Sequence, residues 1–463
     1  MLPLRIARAL GAALLSTPFL LIAAAADGGT AGPPALAVSD GGAVPHASAA
    51  DRGGADPHAG AVDRDAAITL ARARALALER SPALGAASAE VRAQDGRVVQ
   101  AGLVPNPQLG TEVEDFAGSG SRSGFHEAQT TLRLGQLVEL GGKRGKRVES
   151  ARLERDVAAW DLEQRRVEVV ADATKAFVRA LAAERRAEVA AEIEAATRRG
   201  AGMIDDQVRA GAAAPADATR ARLAVDRAAL ERDLARRDAE AARRALAATW
   251  GDTSATAPEV RGDLFELEEL PALASLEERL GRSPALARWD SEYARSRAQL
   301  AVETAARVPD VTLGLGMRYY REGDDAAVVA DASVPLPLFH RNQGSIAEAT
   351  QRVEKARLEG ADARREAVAA LHASYARLAR FRAEARTLRD SLVPRARQAL
   401  DETSASYRAG GARVLDLLDA WRTLLVARRD AVAALESFHL EAAEIERLTS
   451  PPIVAAGPTE NAR

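Results

Sequence analysis

The sequence has 463 residues, of which 47% are hydrophobic and only 4% aromatic, and its formal net charge is −3 at pH 7. Abundant Ala, Leu, Arg and Glu with few aromatic residues is typical of long, closely packed helices rather than of an aromatic-rich globular core. The near-neutral charge implies no nucleic-acid partner, and the lack of cysteine excludes disulfides, thiol catalysis, thiolate metal sites and lipid attachment to cysteine.

The N-terminal segment, residues 1–26, has the parts of a secretory signal peptide. Arg5 and Arg8 form a basic region, Ala9–Ile22 is apolar, and small residues follow that permit cleavage. No other segment reaches the roughly 20 apolar residues that a membrane-spanning helix needs. We therefore expect an exported protein that is either soluble or inserted into a membrane by β-strands.

Residues 27–64 form a Gly/Ala-rich segment without an apolar period, which predicts disorder. The segment contains His46 and His58, each in a Pro-His-Ala triplet. Two sparse imidazoles without a third ligand are weak evidence for a metal site.

Three motifs recur in the same order at offsets of 199 to 204 residues. They are RSPAL at 80 and 282, VPNPQLG at 104 with VPDVTLG at 308, and RAG at 209 and 408. This pattern predicts a tandem duplication, in which each repeat contains a helix, a β-hairpin and a long helical hairpin. The predicted parts are a first repeat at 65–250, a joint at 251–280, a second repeat at 281–450 and a flexible tail at 451–463.

The predicted β-hairpins, 106–138 and 308–337, alternate apolar and polar residues with period two. Such strands fit either a half-exposed soluble sheet or a membrane barrel with its apolar face outward. The second interpretation is favoured because each hairpin lies between very long helices and no other strand is available. Open edges are not tolerated in a bilayer, so four strands would require an oligomer: two chains supply eight strands and three supply twelve.

The long helical segments show coiled-coil periodicity. From Ile346 to Leu392, small or apolar residues recur with 3-4 spacing, and a looser stripe in the first repeat is interrupted by Gln164 and Thr174. Pro394 should kink or interrupt its helix. A helix of about 50 residues would span about 75 Å.

The two RAG motifs predict the tips of the helical hairpins, near 204–217 and 408–416. In both, an aspartate follows the RAG glycine by six residues, as in Gly211 to Asp217 and Gly410 to Asp416. Asp419 lies three residues further along the second helix. The simplest role for these acids is a favourable charge at a helix N-terminus.

Taken together, Asp65–Ser450 resembles the TolC-type outer-membrane factors of Gram-negative tripartite efflux systems. The resemblance is carried by the two RSPAL segments, the VPNP and VPDV strand starts, VPLPLFHRNQG at 334–344 and the RAG-x₅-D tips. Of these, RAGGARVLDLLDA at 408–420 is the most specific. QLVELGGKRGKR at 136–147, together with VPLPLFHRNQG, is most similar to the heavy-metal branch, typified by cobalt–zinc–cadmium efflux components.

This resemblance implies a mostly α fold with a small β part. It implies a homotrimer whose outer-membrane β-barrel, with four strands per chain, is continued by a long periplasmic α-helical barrel. The implied partners are outer-membrane lipid, a periplasmic adaptor (membrane fusion protein) and an inner-membrane resistance-nodulation-division (RND) pump. The implied function is passive conduction of divalent heavy-metal cations, without catalysis or a cofactor.

The resemblance also assigns roles to the tips. Asp416, Asp419 and Asp217 match acids of the periplasmic gate, where rings of carboxylates would meet cations. The residues that match the adaptor-docking tips are Arg209, Ala210, Gly211, Arg408, Ala409, Gly410 and Gly411. One departure is that the basic residue common two positions after the tip glycine is Ala412 here, with Arg413 displaced by one.

Other functional classes remain open at this point. Within the same family, the channel could serve multidrug efflux or type I secretion. Outside it, the candidates are a periplasmic coiled-coil adaptor, which would normally carry one hairpin, and a structural coiled coil. The scattered histidines, without i,i+4 pairs, favour neither a metal site nor an enzyme.

Overall fold

A computed structural model of the chain describes residues 67–254 and 258–451. The predicted signal peptide at 1–26, the segment 27–64 with its two histidines, and residues 452–463 of the predicted tail lie outside the described residues. The described chain is mostly helical with one small antiparallel sheet, as predicted.

The same order of elements occurs twice: two helices, two strands, then long helices. The first set is α1 (Leu70–Arg80), α2 (Pro82–Ala101), β1 (Gln108–Glu114), β2 (Gln129–Val138), α3 (Lys143–Arg209) and α4 (Pro215–Ala248). The second set is α5 (Leu273–Leu280), α6 (Pro284–Ala305), β3 (Val311–Tyr320), β4 (Asp325–Ser333), α7 (Gln343–Thr387), α8 (Val393–Arg408) and α9 (Val414–Thr449). Helix α5 lies within the segment that the sequence assigns to the joint.

Local sequence explains where several helices begin. Pro82, Pro215 and Pro284 occupy the first turns of α2, α4 and α6, where proline loses no helical hydrogen bond. Gly142 and Asn342, which precede α3 and α7, both adopt the left-handed conformation that turns a strand sharply into a helix.

The long helices exceed the predicted length. Helix α3 has 67 residues, which corresponds to about 100 Å. Helices α7 and α8 run on through a π-helical segment, Leu388–Leu392. Because Pro394 has no N–H, the predicted interruption takes this form, and Val393 donates its N–H to the carbonyl oxygen of Leu388, five residues back.

The two predicted hairpins join into one sheet with the order β1-β2-β3-β4. Strand β2 pairs antiparallel with β3 from Gln129↔Tyr320 to Val138↔Val311. This register aligns the apolar positions of all four strands, as in the row Leu109↔Leu134↔Leu315↔Ala330. The predicted faces are therefore confirmed, and both β1 and β4 are open edges within this chain.

The apolar face of the sheet is uncovered in the single chain. Leu109, Leu315 and Val328 are 71%, 62% and 72% exposed. No described helix is long and apolar enough to cross a membrane. A contiguous apolar face of this kind marks an interaction surface.

The opposite face of the sheet carries ion pairs, and glycine leaves the space that one of them needs. Arg133 pairs with Asp331 at 3.0 Å, and Arg318 pairs with Glu114 at 3.0 Å. A Cβ at Gly314 would lie 2.2 Å from the Asp331 carboxylate, so only glycine leaves room for this ion pair. The result is a sheet with one lipophilic and one hydrophilic face.

The helices pack through small residues on the predicted stripes. Ala349, Ala356, Leu371, Leu378 and Ala385 are buried along α7. In α3 the polar interruption Thr174 is also buried, and its hydroxyl donates to the Val170 carbonyl oxygen at 2.7 Å. Ala and Gly on these faces allow close approach of neighbouring helices, as coiled-coil packing requires.

The joint between the repeats lies against the middle of the long helices. Ile68 and Val260 form a parallel bridge, with the Ile68 N–H donating to the Glu259 carbonyl oxygen at 2.7 Å. Around this bridge, Leu76, Phe177 and Trp250 form a buried cluster. The joint therefore ties α1 to α3 and α4.

Candidate functional site at the helical hairpin tips

The two predicted tips are built in the same way. Helix α3 ends at Arg209 and α4 begins at Pro215, while α8 ends at Arg408 and α9 begins at Val414. At the first tip, the N–H of Ala212 donates to the Gln207 carbonyl oxygen at 2.8 Å. This bond, five residues back along the chain, belongs to a Schellman turn.

The glycine of each RAG motif supplies the left-handed residue that this turn needs. Gly211 has φ 73° and Gly410 has φ 79°, and nothing lies within 4 Å of a Cβ built at either. At the second tip the N–H of Gly411 donates to the Ser406 carbonyl oxygen at 2.9 Å. Conformation rather than space selects glycine here, and the surface over both glycines is open.

The docking residues predicted from the sequence form the outer ends of these turns. Ala210 and Ala409 close the preceding helices, and both are exposed. Arg209 pairs with Asp206 at 3.1 Å, and the Arg408 guanidinium donates to the Ser404 hydroxyl at 3.4 Å. Both arginines are tethered to their own helices and leave the tips uncovered.

The three predicted gate acids have different local roles. Asp416 accepts the Arg413 backbone N–H at 2.9 Å, which caps the start of α9, and the Arg413 guanidinium lies 3.6 Å away. Asp217 is half-buried in the first turn of α4 and lies 3.4 Å from Arg220. Arg413, displaced by one position from the expected site, is therefore paired within its own chain.

Asp419 stands apart from the other two acids. It is exposed, and its carboxylate has no hydrogen bond or ion pair within the described residues. Asp416 and Asp419 are three residues apart on one helix, so they share a face. That face carries one capping carboxylate and one carboxylate with no structural task.

A buried cluster joins the two tips. Ile204 of α3, Tyr407 of α8, and Val414 and Leu417 of α9 are all buried within it. The Tyr407 hydroxyl is buried without a hydrogen-bond partner in the described chain. Burial, together with the negative charge of Asp217, raises the pKa of the Tyr407 hydroxyl.

Tyr407 was missed by the sequence reasoning. It directly precedes the second RAG motif, but nothing in a single sequence marks its hydroxyl as buried beside Asp217 of the other hairpin. The electrostatic effect of Asp217 on Tyr407 depends on how the two helical hairpins pack, and the residues are 190 positions apart.

A second contact between the hairpins is steric. The Trp421 ring of α9 lies directly over Gly200 of α3, where a Cβ would come 2.3 Å from Trp421 Cη2. Beside this contact, α3, α8 and α9 line an open groove of about 540 Å³. Its charged walls include the Glu192–Arg428 ion pair and the Arg397–Asp401 pair at 3.3 Å.

The described residues contain no group of three or more His, Cys, Asp or Glu side chains placed to hold a metal ion. The histidines make other contacts: His372 Nε2 lies 2.6 Å from the Glu277 carboxylate, and His439 Nε2 lies 2.9 Å from the Leu264 carbonyl oxygen.

Comparison with known proteins decides the family. The outer membrane efflux protein family matches residues 73–252 and 275–450, most of both repeats. The chain belongs to the outer membrane efflux protein family. The resemblance seen in the sequence is thereby confirmed, and the protein is an efflux component of the Gram-negative outer membrane.

Individual relatives agree with this assignment. The cobalt-zinc-cadmium resistance protein CzcC of Cupriavidus metallidurans is 34% identical over 381 residues, covering 82% of this chain and 90% of that protein. The nickel-cobalt-cadmium resistance protein NccC of Alcaligenes xylosoxydans xylosoxydans is 29% identical, covering 64% and 69%. The crystal structure of the outer membrane protein VceC of Vibrio cholerae has a TM-score of 0.67 at 20% identity, covering 82% and 96%.

The family assignment fixes the general role of the chain. Members are channel components of efflux systems, not known as enzymes, and they work with an adaptor and an inner-membrane pump. The hairpin tips described above are the part of this chain in which the predicted gate acids and docking residues come together.

Proposed function

We propose that three copies of this chain form a passive channel for divalent heavy-metal cations. The single observation that carries the channel is the four-stranded sheet with one exposed apolar face, one charged face and two open edges. A bilayer tolerates no unpaired edge, so β4 of one copy would pair with β1 of the next. Three copies would close a twelve-stranded barrel with the charged face inside.

The helices would continue this barrel through the periplasm. Helix α3 and the α7–α8 run are each about 100 Å long by residue count. Their exposed faces carry i,i+3 and i,i+4 ion pairs such as Arg352–Glu348 and Arg357–Glu354, which suit a solvated tube wall. The hairpin tips would form the far end of the tube, away from the membrane.

At the tips, Asp416 and Asp419 would form two stacked rings of three carboxylates. Rings of acids attract cations and raise their local concentration in a pore. Asp217 would contribute from the adjacent hairpin, next to the buried Tyr407. Because the Tyr407 hydroxyl has no partner in the described chain, a small rotation of the tip could pair it with Asp217.

The outer surface of the tips would dock the periplasmic adaptor that connects to an inner-membrane RND pump. Gly211 and Gly410 are unobstructed, and among the described residues Arg209 and Arg408 pair only within their own helices. The groove beside Trp421 offers a second surface for an adaptor helix. The energy for transport would come from the pump.

The cargo is proposed from the relatives. CzcC and NccC are named for resistance to cobalt, zinc and cadmium, and to nickel, cobalt and cadmium. Rings of carboxylates at the mouth would attract divalent cations by their negative charge without holding them as a resident ligand set. In this chain the metal would be a passing substrate and not a resident ligand.

The cargo is tested by deleting the gene and measuring growth with added zinc, cobalt, cadmium, copper or drugs. We expect loss of tolerance to one or more of the metals, restored by the intact gene. Unchanged metal tolerance with lost drug tolerance would instead favour the multidrug alternative. Fractionation tests the channel itself: a detergent-requiring trimer in the outer membrane is expected, and a soluble monomer would refute it.

A further inference from the structure

The apolar row of β4 continues beyond the end of the sheet. Every even-numbered position from Ala326 to Leu338 is apolar, although β4 ends at Ser333. Past that end, Leu336 is 75% exposed and Phe339 is 90% exposed. We call residues 334–339, which connect the end of β4 to the turn before α7, the apolar hook.

Hydrogen bonds within the hook and from the residues that follow it hold the hook in place. The Leu338 N–H donates to the Leu336 carbonyl oxygen at 2.9 Å, and the Arg341 guanidinium donates to the carbonyl oxygens of Pro337 and Leu338. The Gln343 amide donates to the Phe339 carbonyl oxygen at 3.1 Å. These bonds satisfy main-chain carbonyls that an apolar environment would otherwise leave unpaired.

Two prolines make the hook a poor edge for pairing with a second copy. Pro335 and Pro337 have no N–H, so the segment cannot continue the hydrogen-bonded ladder of β4. Proline also keeps the residue before it extended, which preserves the alternation of Val334 and Leu336. The hook therefore presents side chains rather than a strand edge.

The sheet alone is short for a membrane. The apolar row of β3, from Val311 to Tyr319, spans about 27 Å along the strand, and a tilt near 40° reduces this to about 21 Å. The row of β4 that lies within the sheet, Ala326 to Ala332, is shorter and mostly alanine. The lipid-facing band of an outer-membrane protein is about 25 Å tall, so the hook supplies the missing apolar height.

A basic corner lies beside the hook. Strands β2 and β4 flank β3, so the segments that leave them toward the helices are about 10 Å apart. Both segments contact the stretch from the end of α6 to the start of β3: the Leu140 N–H donates to the Asp310 carboxylate, just before β3, at 3.0 Å, and the Asn342 amide donates to the Glu303 carbonyl oxygen, in the last turn of α6, at 2.8 Å.

The basic corner consists of Lys143, Arg144, Lys146 and Arg147 at the start of α3, and two of these four cations are neutralised. Lys143 pairs with Asp310 at 2.7 Å, and Arg147 pairs with Glu139. Although burial opposes it, the hydrogen bond and charge of Lys143 lower the pKa of Asp310. Arg144 and Lys146 are exposed and have no ion pair within the described residues.

We propose that the apolar hook and Arg144 with Lys146 form an anchor for the periplasmic leaflet of the membrane. Leu336, Leu338 and Phe339 insert at the boundary between headgroups and acyl chains, and the two cations contact the headgroups of anionic phospholipids. This inference rests on the proposed function, because it takes the apolar face of the sheet as the lipid-facing surface.

The absence of cysteine allows a direct test of the hook. Single substitutions F339C, V328C and A347C would be made in the full chain, labelled with a nitroxide and reconstituted into lipid vesicles. Val328 reports the middle of the apolar face, and Ala347 reports an exposed position one turn into α7. Accessibility to oxygen, which concentrates in lipid, is compared with accessibility to a water-soluble nickel chelate.

We expect the labels at F339C and V328C to be more accessible to oxygen than to the nickel chelate. The label at A347C should stay accessible to the nickel chelate. If the label at V328C lies in lipid but the label at F339C has the accessibility of A347C, the membrane anchor is refuted. The proposed channel is not refuted by that result. A label at F339C that is closed to both reagents would mean that protein covers the hook, which also overturns the anchor. If V328C itself is accessible to nickel, the membrane placement of the sheet fails, and the hook fails with it.

The basic corner has its own test. The melting temperature of the wild type is compared in vesicles of neutral phosphatidylcholine and in vesicles that also contain anionic phosphatidylglycerol. We expect a higher melting temperature with the anionic lipid, lost in R144Q/K146Q but kept in R152Q/R364Q, which removes the same charge farther along the helices. An equal anionic-lipid effect in both variants, or none in the wild type, would overturn the role of Arg144 and Lys146.

Discussion

Gly200 and Trp421 show how closely the two helical hairpins approach near their tips. The indole ring occupies the space that any side chain at Gly200 would need. Gly202, two residues further along α3, is exposed and has nothing within 4 Å of a Cβ. The two glycines are therefore a matched pair in one helix with opposite environments.

Replacing Gly200 with Ala should destabilise the tips by about 1–3 kcal/mol, because the added methyl group forces Trp421 out of its position. Replacing Gly202 with Ala should be neutral or stabilise by about 0.5–1 kcal/mol, since it only improves helix propensity. Denaturant unfolding of both variants in detergent measures the difference. Equal stabilities for the two variants would contradict the ring contact.

Neither this contact nor the burial of Tyr407 could be predicted from the sequence. Trp421 fits the apolar stripe of α9, and a glycine in α3 could equally mark a helix end. Their contact depends on the rotation of α9 against α3, which one periodic pattern leaves undetermined. The turns at the tip glycines could be predicted, because the signals for them lie close together in the RAG-x₅-D motif. The motif combines a glycine that ends one helix in the left-handed conformation with an aspartate in the first turn of the next helix.

At the scale of elements, Glu444 joins α9 to α3. Its carboxylate lies 2.5 Å from Lys175 Nζ and 2.6 Å from the Arg447 guanidinium. Burial alone would raise the pKa of Glu444, but the hydrogen bonds from Arg447 and Lys175 outweigh it and lower the pKa to about 2. The ionised form is therefore favoured by folding.

This pair predicts an acid-sensitive contribution to stability. A carboxylate with a lowered pKa stabilises the fold above its unfolded pKa, and that stabilisation is lost as the pH falls from about 4.5 to about 2. The full effect is about 3 kcal/mol. Replacing Glu444 with Gln should lower stability at neutral pH and flatten its dependence on pH in that window. An unchanged acid profile in unfolding experiments would count against the pair.

The two faces of β4 give a second prediction at this scale. Val328 lies on the apolar face and pairs with Met317, while its neighbour Val329 lies on the charged face and pairs with Gly316. Arg at 328 should cost about 2–4 kcal/mol in the membrane, because it would place a charge against lipid. Arg at 329 would face the hydrophilic side and should be tolerated.

The yield of membrane-assembled, heat-resistant oligomer measures this difference between Val328→Arg and Val329→Arg. The substitutions are adjacent and chemically identical, so a general effect on folding should affect both. Equal assembly of the two variants would mean that neither face meets lipid.

The strand faces were predictable because period two in an extended chain leaves each side chain only one of two faces. The joining of β2 to β3 was not, since no local signal sets the pairing of strands from different repeats. Likewise, Pro394 predicted an interruption of its helix. The π-helical form of this interruption was not predictable, because it depends on the hydrogen bonds available to neighbours such as Val393.

At the scale of the whole molecule, the two repeats place unlike surfaces at opposite ends of long helices. One end carries the amphipathic sheet with its apolar hook, and the other carries the open tips with their acids. The recurring motifs predicted this duplication, because each repeat begins with the same helix–strand sequence. The proposed closure into an oligomer rests on the two open edges and on the physics of the bilayer, and the proposed number of three copies rests on the family resemblance.

We propose that Asp416 and Asp419 form the cation-selective mouth of a trimeric channel. Planar-bilayer recording of D416N/D419N tests this proposal, with D419N alone as the cleaner variant because the Asp419 carboxylate has no hydrogen bond or ion pair among the described residues. Asp362→Asn, near the middle of α7, removes the same single charge as D419N but away from the tip. We predict higher conductance or a smaller cation preference in D416N/D419N and D419N, with the trimer intact and D362N unchanged. Wild-type conductance together with wild-type cation preference in intact D416N/D419N trimers would contradict the account.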